Sequence, residues 1–318
     1  MEIIDIKLQD NPRYQGAQPK TNTVYKADFT FNKNPEEIEK TFSEGLTKYA
    51  AGYSAEGVLK ELNFLAPPVP VSSRLFEYKV FGDGDITMDT NDERAKHGEF
   101  IKVSRPNSEL IGTLINRGLE ITIDNSERME GCEEAAIRFL IKRLARNELS
   151  RAYTLAKKIC GSTTQSSWTS EASKPDSDIK DLIRGVGEGC GAQANRVLMA
   201  SAAWEIRAER YEEKPSGILS AQQVADKLGL DSIMVSKEYY VKKSASGITR
   251  LPLLSDGYVF AFNGDNDISN EDFSTIKRFC TDFKAYKEEG KKSVRISVEH
   301  YSALIETSPG SINALKIS

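Results

Sequence analysis

Residues Asp124 to Ile159 read DNSERMEGCEEAAIRFLIKRLARNELSRAYTLAKKI. Asp124, with Glu127 three residues on, makes an Asp-x-x-Glu box suited to a helix N-terminus. Apolar or small residues recur at Ile137, Ile141, Ala145, Leu149, Ala152, Ala156 and Ile159, in the steps of four and three that one helix face requires. Gly161 supplies the stop. The spacing predicts a single helix over Ser126–Ile159, about 50 Å long at roughly 1.5 Å per residue. Gly131 is its weak point and can split off the first turn.

The charges along this helix are sorted. Glu127, Glu130, Glu133 and Glu134 crowd the start; Arg138, Lys142, Arg143, Arg146, Arg151, Lys157 and Lys158 fill the rest, with only Glu148 against them. Two readings fit. One is complementation of the helix dipole on a solvated face. The other is a basic flank, with Arg138, Lys142 and Arg146 as candidates, turned towards a polyanion without sequence readout.

A chain of 318 residues can bury a substantial core as one large domain or two small ones. Its net charge of −4 argues against a surface that is basic overall, as a dedicated nucleic-acid binder carries. No apolar run approaches the roughly 20 residues of a membrane span, and the start MEIIDIKLQD lacks signal-peptide character. The expectation is a protein of a cytoplasm-like space with no membrane partner. Cys132, Cys160, Cys190 and Cys280 are scattered, and His97 and His300 are the only histidines. Metal sites and Cys-His nucleophile pairs use clustered residues, so no metal, cofactor or catalytic set is expected and the chain reads as no enzyme.

Before the helix, residues 1 to 33 read as an extended polar arm broken by Pro12, Gly16 and Pro19. Asn34-Pro35-Glu36-Glu37 predicts a helix start, with Ile38, Phe42, Leu46 and Tyr49 as its apolar stripe. Ser54 is placed to cap a second helix bearing Val58, Leu59 and Leu62, ended by the prolines of FLAPPVPV. Arg74–Phe81 reads as a strand and Glu99–Val103 as its antiparallel return. The 32 residues from Arg74 to Arg105 hold 6 basic and 7 acidic side chains. A hairpin so charged cannot hold itself down and reads as an arm across a neighbouring subunit. Its contact candidates are Arg74, Glu77, Lys79, Asp83, Asp85, Asp92, Glu93, Arg94 and Lys96.

After the helix, Ser162–Lys174 reads as a polar linker around Trp168, and Asp178–Ile183 as a helix ending in GVGEGCGA. Strands follow at VLMAS (Val197–Ser201), IMV (Ile233–Val235), YVFAF (Tyr258–Phe262) and VRISV (Val294–Val298), with helices at Trp204–Glu212 and Ala221–Leu228. Gly187 to Ala192 matches the dinucleotide pattern G-x-G-x-x-A, which works only after a strand and before a helix. The order here is reversed, and a helix C-terminus explains the glycines better. Leu219–Ser236 has the outline of a helix-turn-helix. Ile233, Met234 and Val235 suit a strand better, and the segment lacks the surplus of Lys and Arg that groove binding needs.

The ordered set from about Phe64 onward resembles the major capsid proteins of tailed bacterial viruses, which share the Hong Kong-type capsid fold. FLAPPVPVSSRLFEYKVF is similar to the stretch entering that family's extended loop, and Asp124–Ile159 to its long spine helix. Trp168, Pro175-Asp176, Asn195 before VLMAS, Trp204, LSAQQVADKLGL, SIMV, LPLLSDGYVFAF and the closing VRISVEHYSALIETSPGSINAL recur in the same order. The resemblance implies an α+β fold divided into an N-terminal arm (1–71), an extended β-hairpin loop (72–106), a peripheral domain with the spine helix (107–165), an axial domain (166–298) and return strands (299–318). It further implies a virion shell of pentamers and hexamers, assembled in the host cytoplasm, around double-stranded DNA contacted without sequence readout. Portal and decoration proteins belong to the same implied picture. Residues 1–60 show no long charged helical segment, so scaffolding would come from a separate protein. Some relatives cross-link subunits through a lysine and an asparagine; Lys79, Lys96 and Lys102 lie in the corresponding loop, with nothing to mark one as reactive. The same fold builds bacterial encapsulin compartments, a second reading. A cytoplasmic DNA-binding regulator using 219–236 is a third, of a different class.

Overall fold

A computed structural model describes residues 41–53, 58–82, 108–161, 163–212, 219–244, 247–254, 257–265 and 273–317, all within the contact unit Ile38–Ser318. In chain order come strand β1 (Thr41–Phe42), helices α1 (Glu44–Gly52) and α2 (Val58–Leu65), strands β2 (Pro68–Pro70), β3 (Leu75–Val80), β4 (Ser108–Thr113) and β5 (Ile115–Asp124), and helix α3 (Cys132–Cys160). There follow β6 (Thr164–Ser166), α4 (Pro175–Cys190), β7 (Arg196–Ala200), α5 (Ser201–Glu212), α6 (Ala221–Leu228) and β8 (Ser232–Ser236). The remaining strands are β9 (Tyr239–Ser244), β10 (Gly247–Pro252), β11 (Tyr258–Phe262), β12 (Ile276–Cys280), β13 (Lys284–Glu289), β14 (Ser293–Glu306) and β15 (Ile312–Ile317).

Helix α3 joins two sheets. Its first half buries Ala136, Ile137, Leu140, Ile141 and Leu144 against Val294, Ile296 and Val298 of β14, with Leu46 and Ala50 of α1 alongside. Its second half buries Ala145, Leu149, Ala152, Tyr153 and Ala156 against Leu62 and Leu65 of α2, Phe260 and Phe262 of β11 and Ile312 of β15. Acids in its first turn (Glu133, Glu134) and lysines in its last (Lys157, Lys158) complement the dipole. One rod therefore belongs to two hydrophobic cores.

The first sheet runs β1-β13-β14-β12-β2, with β5 on the other side of β14. The second runs β6-β15-β11-β7-β8 and is covered on both faces. Leu198, Phe260, Phe262 and Ala314 face α2 and α3. Val197, Met199, Val259, Ala261 and Leu315 face a second layer holding Trp168, Ile179, Val186 and Val224. Strands buried on both faces lose the polar alternation of half-exposed ones, which is why RVLMA and YVFAF read as continuous apolar runs.

Several expectations are corrected. Helix α3 begins at Cys132 and not at Ser126, because the Asp124 carboxylate accepts the Ser126 N–H and caps a separate 3-10 turn, Asn125–Glu127. Gly131, at φ 77°, then breaks the backbone into the left-handed region. The described partner of β3 is β4, in register from Leu75↔Thr113 to Val80↔Ser108; the predicted return Glu99–Val103 lies outside the described residues. Phe42 is in a strand, not on a helix stripe with Leu46 and Tyr49, since Ser43 accepts the Leu46 N–H and starts α1 there. The Asn34-Pro35 start lies outside the described residues. The segment read as a linker is built in: β6 pairs parallel with β15, and Trp168 is fully buried, its Nε1 donating to Asp178 Oδ2 at 2.8 Å.

Helix α4 is also longer than expected and carries Gly185, Gly187 and Gly189 inside it, ending at Gly191 in the left-handed conformation (φ 78°). The reason is close packing. A Cβ on Gly189 would stand 2.7 Å from the Gly310 carbonyl oxygen, and one on Gly185 2.7 Å from Asn313 Nδ2. Gly189 of the G-x-G-x-x-A pattern and Gly185 before it let the helix lie against the loop and strand near residues 310–313, while Gly191 ends it.

Candidate assembly surfaces

The base of the β3–β4 hairpin is fixed from within. Phe76 stacks on Phe279 of β12 at 4.5 Å, and Leu114 is fully buried beside them. Gly112 is required here, since a Cβ would come within 2.5 Å of the Phe76 ring. The opposite face is different: Leu75 and Ile111 are exposed there, Ile111 by 75%, while Leu110, on the Phe76 side, and Ile115, at the start of β5, are exposed as well. Leu75 and Ile111 lie diagonally across the ladder and leave apolar surface uncovered in the single chain. Of the predicted contact residues, Arg74 is exposed at the start of β3, Glu77 is exposed, and Lys79 is half-buried opposite Glu109 in the ladder. Asp83, Asp85, Asp92, Glu93, Arg94 and Lys96 lie outside the described residues.

The basic flank of α3 is partly neutralised. Arg138 Nη1 donates to the Tyr49 hydroxyl at 2.6 Å. Arg146 grips Glu238 Oε2 through Nε at 3.1 Å and Nη2 at 2.7 Å. Lys142 is exposed and, among the described residues, has no ion-pair partner. Arg143, not singled out from the sequence, stands beside it, and Phe139 is half-exposed between them.

Strands β9 and β10 form a separate two-stranded ladder, from Tyr239↔Pro252 to Ser244↔Gly247. The ladder takes in Lys242–Ser244 on β9 and Gly247–Thr249 on β10. Tyr239, Tyr240, Val241 and Ile248 are exposed on it. Two ties hold its root: the Leu253 N–H donates to the Glu238 carbonyl at 2.7 Å, and the Glu238 carboxylate is held by Arg146 of the long helix.

Behind these surfaces lie buried polar groups. The Tyr153 hydroxyl donates to Glu61 Oε1 and meets Ser236 Oγ at 3.2 Å. Burial pushes the Glu61 carboxyl up to about 7, against the hydrogen bonds from Ser236 and the Lys237 amide. A cavity of about 730 Å³ opens there, walled by Trp204, Leu219, Ile233, Met234 and Val235 and flanked by Lys60, Lys237 and Glu238. Deeper under α3, Glu148 Oε2 pairs with Arg278 Nη1 at 3.2 Å. Burial, and then the cations Arg278, Arg151 and Arg117, push His300 down to about 4, with Glu148 opposing. The ring is therefore neutral at pH 7.

The four cysteines are unpaired and half-buried; burial pushes the Cys160 thiol up to about 12 and raises Cys280. Among the described residues no three His, Cys, Asp or Glu are grouped to hold a metal, and no helix is long and apolar enough to cross a membrane. The helix-turn-helix outline at 219–236 is α6, with a Ser220–Gln223 capping box and Gly229 ending it, followed by β8 and not by a second helix. Glu61, the Glu148–Arg278 pair and the exposed apolar residues of β9 and β10 carried no signal in the sequence: a lone Glu in a helical stretch reads as solvated, and alternation in a strand does not say which face is covered.

A long helix shared by two sheets and two separate two-stranded ladders make up this mixed α+β fold. The chain has the α+β Hong Kong-type fold of tailed-phage capsid proteins. It is similar to the crystal structure of a phage-related protein from Bordetella bronchiseptica RB50, with TM-score 0.67 and 13% identity over 87% of this chain and 98% of that one. It is also similar to the virus-like particle from Pyrococcus furiosus (TM-score 0.52, 11% identity, 86% and 99% covered) and to the capsid of Cyanophage P-SCSP1u (0.50, 10%, 81% and 88%). At these identities the likeness is one of fold. No protein-family model and no curated protein matches the sequence.

Proposed function

We propose that this chain is the major capsid protein of a tailed double-stranded DNA phage, whose copies assemble into an icosahedral head of pentamers and hexamers. The observation that carries the reading is a fold shared over 87% of this chain and 98% of a phage-related protein. The exposed apolar side chains on β3, β4, β9 and β10 support it, since they leave surface for like copies to cover. In this reading residues 1–71 are an arm, 72–106 the extended loop, 107–165 the peripheral domain, 166–298 the axial domain and 299–318 its return. The loop, with Arg74, Glu77, Lys79, Asp83, Asp85, Asp92, Glu93, Arg94 and Lys96, lies on a neighbour. The β9–β10 hairpin faces the local symmetry axes. Lys142 with Arg138 and Arg146 turns inward to packaged DNA, and separate scaffolding and portal proteins complete the head. The role is structural and not catalytic, in the virion, after assembly in the host cytoplasm.

The test is electron microscopy of the purified protein, expressed alone and from its phage. Closed particles are expected, with double-stranded DNA inside those from the phage. Particles that never contain DNA would move the protein to a compartment shell, and a chain that stays monomeric under all assembly conditions would overturn the reading.

A further inference from the structure

Where the two cores meet under α3, charges face one another. Glu148 and Arg151 come from α3, Arg117 from β5, Arg278 from β12, and His300 and Ser302 from β14. Strand register sets Arg117 opposite His300, and Asn63 of α2 accepts from Arg278 Nη2 at 2.8 Å. Glu148, Arg278 and His300 are at most 6% exposed. With His300 neutral, three guanidinium groups meet one carboxylate. Its Oε2 is engaged by Arg278. Glu299, the next acid along β14, belongs to the other face, where Tyr286 and Asn116 donate to it.

Arg117 and Arg151 are half-buried, and among the described residues neither has an acid of its own. Burial and then the charge of Arg117 hold the Arg151 guanidinium below its ordinary value. Arg117 Nε, Arg278 Nε and His300 Nε2 are buried without a hydrogen-bond partner, and so is the second oxygen of the one carboxylate, Glu148 Oε1; one carboxylate still faces three guanidinium groups. Buried cations persist when an anion satisfies them, and guanidinium forks match two-oxygen anions in shape.

We propose that Arg117 and Arg151, backed by Arg278, form a docking site for one oxyanion, a carboxylate or phosphate-type group that completes the charge balance under the long helix. Arg117 lies on β5, whose second edge is unpaired among the described residues. Exposed Ile115 and Ile111 continue from it along the same stretch. The group can therefore come from solution or from an acidic side chain of a second copy; the second source rests on the shell reading above.

The experiment uses the full chain and Arg117→Gln, Arg151→Gln and, as a control, Arg143→Gln. For the first source, the unfolding midpoint of dissociated subunits is titrated with sulfate against chloride at matched ionic strength. A saturable rise of a few degrees in the wild type and the control, lost in both site variants, supports a free anion; the general salting effect of sulfate does not saturate and appears in all four proteins. For the second source, particles are challenged with rising salt. Site-variant particles that come apart at lower salt than control particles, with subunit melting unchanged, support a carboxylate from the neighbouring copy. If both site variants match the control in both measurements, the proposal is wrong. Failure to form particles at all bears on the shell reading, and the sulfate titration still decides this one.

Discussion

At the scale of single residues, Glu61 and His300 set opposite pH slopes. The Glu61 carboxyl is raised from 4.5 to about 7, so its contribution to stability is full below about 4.5 and is lost as pH rises through 7. His300 is depressed from 6.5 to about 4, so its contribution is full above about 6.5 and is lost as pH falls through 4. Each is on the order of 3 kcal/mol at about 1.4 kcal/mol per pKa unit, and the two largely cancel. Glu61→Gln removes one slope while its amide oxygen still accepts from Tyr153. The variant is expected to be more stable than wild type at pH 8, close to it at pH 4, and more acid-sensitive between; urea unfolding at three pH values checks this. Glu148→Ala leaves Arg278 buried without its carboxylate and is expected to cost about 3–5 kcal/mol, read in the same assay.

Secondary-structure elements make a second set of expectations. Leu149 is fully buried in the half of α3 that packs on the second sheet. Leu149→Asp sets an unpaired charge there, and a loss of several kcal/mol, seen as insoluble or unfolded protein, is expected. In α4, helix propensity and packing compete. Glycine to alanine within a helix gains up to about 1 kcal/mol in isolation, but at Gly189 the new Cβ meets a backbone oxygen at 2.7 Å. Overpacking against backbone costs about 1–3 kcal/mol, so Gly189→Ala should destabilise. Gly187→Ala meets the flexible Gln193 side chain at 3.3 Å and should lie near neutral. Equal effects of the two substitutions on thermal unfolding would refute the packing account.

For the whole molecule, the expectations concern assembly. Deleting Asp85 to Lys96 should leave a soluble subunit that fails to form stable shells, because the β3–β4 base is anchored through Phe76 and Phe279 without those residues. High salt should weaken particles more than it weakens the subunit fold, since exposed ion pairs are worth only about 0–1 kcal/mol each and are screened. Unpaired thiols, two of them held protonated by burial, should leave particle sedimentation unchanged under reducing agent. Normal assembly of the deletion variant, measured by sedimentation and microscopy, would reduce the hairpin to a surface loop.

The sequence by itself determined what short-range physics controls. The apolar spacing of Ile137 to Ile159 specifies the long helix, Gly161 ends it, and the apolar runs of β7 and β11 and the alternating β-branched residues of β14 specify strands. These choices rest on backbone conformation and on neighbours within a few positions, so they are readable in one dimension. Tertiary structure alone decided the rest. Gly185 and Gly189 of α4 sit where Asn313 and Gly310, more than 100 positions on, leave no room for a Cβ. Residues 164–166 form a strand because β15 offers them an edge. Glu148 reads locally as the one solvated acid on a basic helix, yet its partner is Arg278, 130 positions away. Burial, charge pairing and the choice of strand partner depend on which distant segments meet, and that is fixed only when the two cores close around α3.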